Sequence, residues 1–242
     1  MRRTFIKSSI MIVAATLCMS CGNNARKSAS TPPQEPEKLI ALSFDDGPNL
    51  VTTPKVLDVL EENGIKASFF LIGQNINDES AAMMQREKAL GCDIENHSLT
   101  HSQMSSLTEE QIRDEIAQTS ALIKKYVGTE PEFFRPPYIN HSELMHQCID
   151  LTFICGQGCN DWEADVTAEQ RAQAVIANAA DGQIVLLHDF EGNDNTVEAL
   201  KTIIPELKAQ GFKFVTVPEL FEAKGIAPEP NNGKIYTNVL TD

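Results

Sequence analysis

Basic residues are scarce in this sequence of 242 residues, which has 20 Lys and Arg against 34 Asp and Glu and a net charge of -14 at pH 7. A surface with this excess of negative charge repels the phosphates of nucleic acids. Nucleic acid is therefore excluded as a partner, whereas a neutral or cationic ligand is compatible with the charge. The acidity is also what solubility alone would require.

Two further absences argue against one class of fold and one kind of metal site. No glycine-rich phosphate loop follows the first predicted strand, which argues against a doubly wound nucleotide-binding sheet. No second close pair of cysteines or histidines lies near Cys155 and Cys159, so a structural zinc site with four ligands is not expected there. We expect four cysteines to be buried thiols or to include one disulfide of unknown pairing. They are Cys92, Cys148, Cys155 and Cys159.

The first 20 residues have the features of an export signal. Three basic residues precede the apolar run Ile10 to Leu17, which is too short to span a bilayer as an ordinary transmembrane helix. Loss of this segment would change the net charge from -14 to -17, since it contains three basic residues and no acidic ones.

Ser20 and Cys21 resemble the cleavage site of a bacterial lipoprotein, in which Cys21 becomes the lipidated first residue. Cys18 stands where leucine is usual, so ordinary signal-peptide cleavage and a retained anchor are alternatives. We expect an exported protein of the cell envelope, joined to the membrane through the lipid anchor. Residues 21–37 are polar and proline-rich, which is typical of a flexible linker.

From Lys38 to Lys224, short apolar runs alternate with longer amphipathic ones. Helical patterns such as Thr53 to Asn63 and Thr108 to Val127, the latter with a capping box to Gln111, lie between predicted strands. The seven predicted strands are Leu39 to Phe44, Ala67 to Ile72, Cys92 to Glu95, Phe133 to Arg135, Leu151 to Cys155, Ile184 to His188 and Phe214 to Val217. This alternation favours an α/β barrel with a parallel sheet. Residues 225–242 form a weakly patterned tail, expected on the outside.

Two adjacent carboxylates, Asp45 and Asp46, follow the first strand and are closed by Gly47 and Pro48. Buried carboxylates need a partner or a metal, so this pair is a candidate for chemistry, although an exposed acidic turn has the same sequence features. In a parallel barrel, the carboxyl ends of the strands form the face on which active sites are built.

His97 and His101 raise the expectation of a metal site. Imidazoles four residues apart share one face of a helical turn and can bind the same ion. Two histidines and one carboxylate leave coordination positions for water and substrate, as a catalytic site requires. His141 and His146 have no neighbouring carboxylate pattern, and we expect both at the surface.

Other polar residues follow later strands. Arg135 precedes two prolines that fix the chain and is expected to pair with a carboxylate. Asp161 precedes Trp162, the only tryptophan, whose ring suits the apolar face of a sugar but is also typical of a protein core. His188 ends an apolar strand and should emerge at the same barrel mouth.

Five motifs in this order resemble those of the polysaccharide deacetylases with a NodB homology domain, carbohydrate esterase family 4. The motifs are SFDDGP at residues 43–48, HSLTH at 97–101, RPPY at 135–138, DW at 161–162 and LLH at 186–188. The resemblance covers roughly residues 38–224. It implies a distorted (β/α) barrel of the glycoside hydrolase/deacetylase type, and metal-assisted removal of acetyl groups from an N-acetylated or O-acetylated glycan.

The resemblance also implies a role for each matching residue. Asp46, His97 and His101 would hold one divalent metal, with zinc expected and other divalent ions able to serve. Asp45 would be the general base and His188 the general acid. Further implied roles are pairing of Arg135 with Asp45 and of Asp161 with His188, stabilisation of the oxyanion by the Tyr138 N–H, and substrate contacts by Pro137, Tyr138, Trp162 and Leu186.

Two positions depart from the family pattern. Ile139 stands where glycine is frequent, and Gly158 stands where a further aspartate is common. Neither change removes a ligand, the base or the acid, but both affect the groove and therefore the choice of substrate.

Two other functions remain alternatives. One is a glycan-binding protein without catalysis on the same scaffold, and the other is a metal-dependent amidase for a small non-peptide amide. A binding module has no need of Asp45 and His188 together. Groove shape distinguishes the amidase from a polymer-specific enzyme, since an open trough beside Trp162 favours a polymer and a closed pocket favours a small molecule. We expect a monomer acting on an acetylated glycan.

Overall fold

A computed structural model describes residues 37–242. The predicted export signal, the lipidation of Cys21 and nearly all of the predicted linker lie outside these residues. Among residues 37–242, no helix is both long enough and apolar enough to cross a membrane.

Seven strands alternate with seven α-helices along the described residues. The strands are β1 (Lys38–Asp45), β2 (Ser68–Leu71), β3 (Asp93–Asn96), β4 (Phe133–Phe134), β5 (Thr152–Phe153), β6 (Gln183–His188) and β7 (Phe212–Phe214). The helices are α1 (Thr53–Asn63), α2 (Ala81–Ala89), α3 (Glu109–Val127), α4 (Glu143–Cys148), α5 (Ala168–Asn178), α6 (Asp194–Ala209) and α7 (Val217–Lys224). This order confirms the predicted α/β class.

All strand pairs of the sheet are parallel, in the order β5-β4-β3-β2-β1-β6, with β7 paired to the first half of β1. Because the strands are parallel, their carboxyl ends meet on one face of the curved sheet. The register places Asp45 at the end of β1 directly opposite His188 at the end of β6. The fold is therefore the predicted distorted barrel.

The C-terminal tail fills the gap between β5 and β6. Tyr236 pairs with Ile154 beside β5, and Asn238 pairs with Gln183 on β6. Tyr236 and Val239 are buried in the barrel core. The expectation that residues 225–242 pack on the outside is therefore wrong for this stretch. Its two apolar side chains, spaced by three residues, give no periodic signal.

The central strand β1 separates two apolar layers. Ile40, Leu42 and Phe44 pack against the surrounding helices, whereas Leu39 and Ala41 face the inner cluster. This is the two-residue alternation of a strand buried on both faces. Each fully buried large apolar side chain contributes roughly 1.5–3 kcal/mol to folding.

The helix predictions are confirmed at their best-marked ends. Helix α1 has the predicted bounds, and α3 begins at Thr108 with the capping box to Gln111. The last strand is displaced from its prediction: β7 ends at Phe214, and Val217 begins α7. Thr216 caps that helix by accepting the Glu219 N–H, which stops the extended chain.

Candidate active site

Asp46, His97 and His101 converge at the carboxyl ends of β1 and β3. Their ligand atoms all lie within 4.8 Å of one another. The Oδ1 atom of Asp46 is 3.5 Å from Nε2 of His97 and 3.4 Å from Nε2 of His101. Ligands placed about 2.1 Å from one tetrahedral ion are separated by about 3.4 Å. The three side chains therefore have the spacing of ligands around a divalent ion.

The chemistry of the donors also fits an ion. Oδ1 of Asp46 is buried and has no hydrogen-bond partner within residues 37–242, although buried oxygens are normally satisfied. Nδ1 of His97 lies 2.7 Å from the Arg135 carbonyl, which can only accept, so Nδ1 carries the proton and Nε2 keeps its lone pair. This second contact fixes His97 in the tautomer that a metal requires.

Electrostatics favour the ligand forms of Asp46 and His101. Burial by itself raises the pKa of Asp46, but its interactions with His97, His188 and His101 outweigh burial and lower that pKa. Burial, together with the nearby His97, lowers the pKa of His101. Asp46 is thus favoured as a carboxylate and His101 as a neutral imidazole.

The two histidines do not lie on a helical turn, so that part of the prediction is wrong. The segment from His97 to His101 is a loop in which Ser98 and His101 have positive φ values of 68° and 55°. The carboxylate of Glu115 on α3 accepts hydrogen bonds from the N–H groups of Leu99 and Thr100 and from the Thr100 hydroxyl. Glu115 therefore holds the loop that aligns the rings.

Arg135 and Asp45 form a buried ion pair at the end of β1. Arg135 Nη1 donates to Asp45 Oδ1 at 2.6 Å, and Arg135 Nη2 donates to the Ser43 hydroxyl at 2.8 Å. The guanidinium lies over the Phe70 ring at 4.1 Å. Asp45 Oδ2 is 3.7 Å from Nε2 of His97. The ion pair therefore fixes a carboxylate next to the candidate metal ligands.

Asp161 orients His188 on the opposite side of the cavity. Asp161 Oδ1 is 2.8 Å from His188 Nδ1, and Oδ2 accepts the His188 N–H at 2.7 Å and the Thr196 hydroxyl at 2.9 Å. Burial lowers the pKa of His188, but Asp161, with smaller contributions from Asp45 and Asp46, raises it to about 9. His188 is thereby kept as an imidazolium in neutral solution.

These groups line a cavity of about 410 Å³. Its walls also include Trp162, Tyr138, Ile139 and Leu186, of which Trp162 and Tyr138 are exposed. Asp161 and Arg135 are fully buried behind it. Pro137, predicted as a substrate contact, does not line the cavity, and the wall is formed by Pro136 instead. Two adjacent prolines give no sequence signal for which ring faces the ligand.

The backbone at Tyr138 and Ile139 is strained. Their φ values are 58° and 53°, in the left-handed region that β-branched side chains rarely occupy. Ile139 thus adopts a backbone conformation that favours glycine, and its side chain lines the cavity.

Asp189 is a site residue that the sequence analysis missed. It is fully buried beneath the Asp45–Asn49 loop, and its carboxylate accepts a hydrogen bond of 2.5 Å from the Thr53 hydroxyl. A Cβ added to Gly47 would lie 3.0 Å from both Asp189 carboxylate oxygens. The backbone N–H of Asp189 donates to the Asp45 carbonyl at 3.0 Å. Its position directly after His188 was the available signal.

His146 corrects another expectation. His141 is exposed, but His146 is buried and stacks on Phe153 with 4.0 Å between ring centroids. Nε2 of His146 lies 3.0 Å from Nδ1 of His141. Neither histidine lines the cavity or belongs to the group of candidate metal ligands. We therefore assign the pair to packing around α4.

The structure distinguishes between the two states expected for the cysteines, which were buried thiols or one disulfide. The four cysteines of the described residues are free, three of them buried and Cys155 partly exposed. The thiol alternative therefore holds for the described part of the chain.

Comparison with known proteins gives the same assignment as the motifs. The family model described as polysaccharide deacetylase matches residues 33–151. A bifunctional xylanase/deacetylase of Pseudobutyrivibrio xylanivorans is 47% identical over 230 residues, which are 95% of this chain and 37% of that protein. The chain thus spans little more than a third of that relative.

Two further proteins are similar over nearly their whole length. A peptidoglycan-N-acetylglucosamine deacetylase of Bacillus cereus is 40% identical over 198 residues, covering 78% of this chain and 90% of its own. The structure of a family 4 acetyl xylan esterase from Clostridium thermocellum in complex with a cobalt ion has a TM-score of 0.82 and 47% identity, covering 84% of this chain and 99% of its own. The chain therefore belongs to the polysaccharide deacetylases, the family 4 carbohydrate esterases with a NodB homology domain.

Proposed function

We propose that this enzyme hydrolyses acetyl groups from an acetylated glycan with one divalent metal, zinc, held by Asp46, His97 and His101. The observation that carries the proposal is the buried, unpartnered Oδ1 of Asp46 at 3.4–3.5 Å from two imidazole nitrogens. A divalent ion there supplies Lewis-acid polarisation of the acetyl carbonyl and of the attacking water. Carboxylate and imidazole donors suit zinc and also other divalent ions.

In this proposal Asp45 is the general base. Its Oδ1 accepts a hydrogen bond of 2.6 Å from Arg135, which fixes the carboxylate in place, and the residue lines the cavity. Asp45 takes the proton of the water that attacks the acetyl carbon. The N–H of Tyr138, at the cavity edge, stabilises the oxyanion that develops on the acetyl oxygen.

His188 is the general acid. Its Nδ1 is occupied by Asp161, so Nε2 is the ring nitrogen that donates a proton to the departing alcohol or amine. Asp45 is therefore paired with a guanidinium and His188 with a carboxylate. Leu186 contacts the acetyl methyl group, and Trp162 with Pro136 forms the wall that contacts the sugar.

The glycan is proposed to be a polymer or oligomer. The reaction cavity adjoins a second, open cavity of about 640 Å³ that shares Asp46 and His101 with it and does not include Trp162, beside which the trough was expected. A small-molecule amidase would need no such extension. A glycan-binding protein without catalysis would need neither the Arg135–Asp45 pair nor the Asp161–His188 pair. The second cavity therefore favours an extended substrate, and the two residue pairs favour catalysis. The scissile bond is either an acetyl ester or an acetamide.

The test is acetate release by the purified chain from acetylated xylan, N-acetylated chito-oligosaccharides and peptidoglycan. We expect release from at least one glycan, loss of activity after chelation, and recovery on addition of one equivalent of Zn²⁺. Replacing His101 with alanine should remove metal and activity together, whereas replacing the buried but remote His146 with phenylalanine should remove neither. Undiminished activity in a metal-free sample would overturn the proposal.

We also propose export, with Cys21 as the lipidated residue of a tether at the cell envelope. The proposal rests on the sequence of the first 21 residues. Labelling of the chain with a fatty acid, lost in Cys21→Ser, would support it. A secreted, unlabelled wild-type protein would contradict it.

A further inference from the structure

An open trough adjoins the reaction cavity on the side of the candidate metal ligands. It has a volume of about 640 Å³, and Asp46 and His101 line both spaces. Its other walls come from the loop 48–51, from the segment 72–80 and from residues 190–191. A glycan with one sugar in the reaction cavity would have space for a neighbouring sugar in this trough.

The trough has a fixed framework. The side-chain oxygens of Asn49 and Asn77 accept hydrogen bonds from N–H groups of their own loops, which holds those loops in shape. Asn75 donates to the Asp46 carbonyl at 2.8 Å, so one wall is attached directly to a candidate metal ligand. The side chains of these three asparagines therefore use their hydrogen bonds to hold the walls of the trough.

Three other polar side chains in the walls have no such hydrogen bonds within residues 37–242. Gln74, Glu79 and Glu191 are exposed, and their side chains make neither a hydrogen bond nor an ion pair with another residue in the range 37–242. Among residues 37–242, no Lys or Arg lines the trough. The trough thus presents the carboxylates of Glu79 and Glu191 without a Lys or Arg partner among the described residues, beside the candidate metal ligand Asp46.

Apolar surface lies next to these carboxylates. Leu50 and Val51 are 53% and 39% exposed, unusually high values for aliphatic side chains, and Phe190 is half-buried in the same walls. A sugar ring has hydroxyl donors at its edge and C–H groups on its faces. Carboxylate acceptors and aliphatic side chains complement these two features.

We propose that the trough is a subsite for the sugar next to the acetylated one, and that Glu79 and Glu191 select a neutral or amine-bearing sugar and reject one that carries a carboxylate. This inference rests on the proposed function. A carboxylate on the ligand would meet the like charges of Glu79 and Glu191, and no Lys or Arg of the described residues lines the trough to compensate for its lost hydration. A free amine would meet opposite charges instead.

The experiment compares acetate release from three acetylated oligosaccharides of equal length, whose neighbouring sugar is neutral, amine-bearing or carboxylate-bearing. For the metal-loaded wild type, we expect kcat/KM to be roughly tenfold higher for the neutral than for the carboxylate-bearing substrate. The ratio should decrease as ionic strength rises, because the side chains are exposed to screening ions. The amine-bearing substrate should show the opposite salt dependence.

Two pairs of variants test the residues. Glu79→Lys with Glu191→Lys should reverse the preference, and Glu79→Gln with Glu191→Gln should abolish it. Glu222→Lys with Glu229→Lys changes the net charge equally at exposed positions that do not line the trough, and should preserve the wild-type ratio. Because the readout is a ratio of two substrates on the same sample, a partly unfolded variant still reports its selectivity.

The possible results separate the two levels of the proposal. If wild type releases acetate but does not discriminate, or if the control pair changes the ratio as much as the trough pair does, the subsite is wrong while the proposed function stands. If the metal-loaded wild type releases acetate neither from any glycan nor from the small ester 4-nitrophenyl acetate, the proposed function itself fails.

Discussion

Asp161 holds His188 at two points, by its ring and by its backbone. One carboxylate oxygen is 2.8 Å from Nδ1 of the ring, and the other accepts the His188 N–H at 2.7 Å. The His188 N–H holds the Asp161 carboxylate in place. Rotation of the imidazole ring would therefore break its own contact with that carboxylate. This arrangement fixes the tautomer and the charge of the candidate acid.

Replacing Asp161 with asparagine should shift the alkaline limb of the kcat profile to lower pH. Asp161 is the main cause that raises the pKa of His188 from 6.5 to about 9, so its removal lowers that pKa and the acid loses its proton earlier. Thr196→Val removes one hydrogen bond to Asp161 but no charge, and should shift the limb less. Profiles measured at saturating metal test this, and an unchanged limb in Asp161→Asn would contradict the role of His188.

Replacing Arg135 with methionine should destabilise the fold by about 3–5 kcal/mol, because Asp45 would remain buried without its counter-charge. Urea unfolding measures the change. Lys201→Met, which breaks an exposed pair with Glu198, should leave the unfolding transition close to that of wild type. Replacing Arg135 and Asp45 together by apolar residues should restore part of the stability. Equal effects of Arg135→Met and Lys201→Met would show that the pair is unimportant to folding.

Replacing Gly47 with alanine should reduce both stability and acetate release. The new Cβ would lie 3.0 Å from both carboxylate oxygens of Asp189 and would displace the loop that carries Asp45 and Asp46. Overpacking of this kind costs about 1–3 kcal/mol. In Gly158→Ala the nearest atom would be 3.7 Å away, so this control should keep the wild-type melting temperature. If Gly47→Ala melts with wild type and turns over normally, Asp189 does not constrain the loop.

The sequence was sufficient to predict seven strands in the correct order, with six of the seven carboxyl ends within two residues of the observed ones. Strand β1 is buried on both faces, so its apolar run is continuous, and the parallel topology brings Asp45 and His188 to the same face. Strand β7 was displaced in the prediction because Thr216 and Glu219 cap a helix within the apolar run.

The details that the sequence did not specify depend on contacts between distant residues. The His97–His101 loop takes its shape from Glu115 on α3, so spacing alone suggested a helical turn. The tail enters the barrel because Tyr236 fills space beside β5, which no local pattern indicates. Asp189 adjoins His188 in sequence, but its packing against Gly47 is visible only in three dimensions.

The central claim is that Asp45 acts as the base beside a metal held by Asp46, His97 and His101. It is tested most directly by measuring acetate release and metal content on the same sample of Asp45→Asn. Asparagine keeps the size of the side chain but cannot accept the proton, and the three ligands are unchanged. We predict a loss of acetate release of at least about 100-fold, with metal content near one ion per chain. Wild-type turnover in that variant, with the metal in place, would contradict the account.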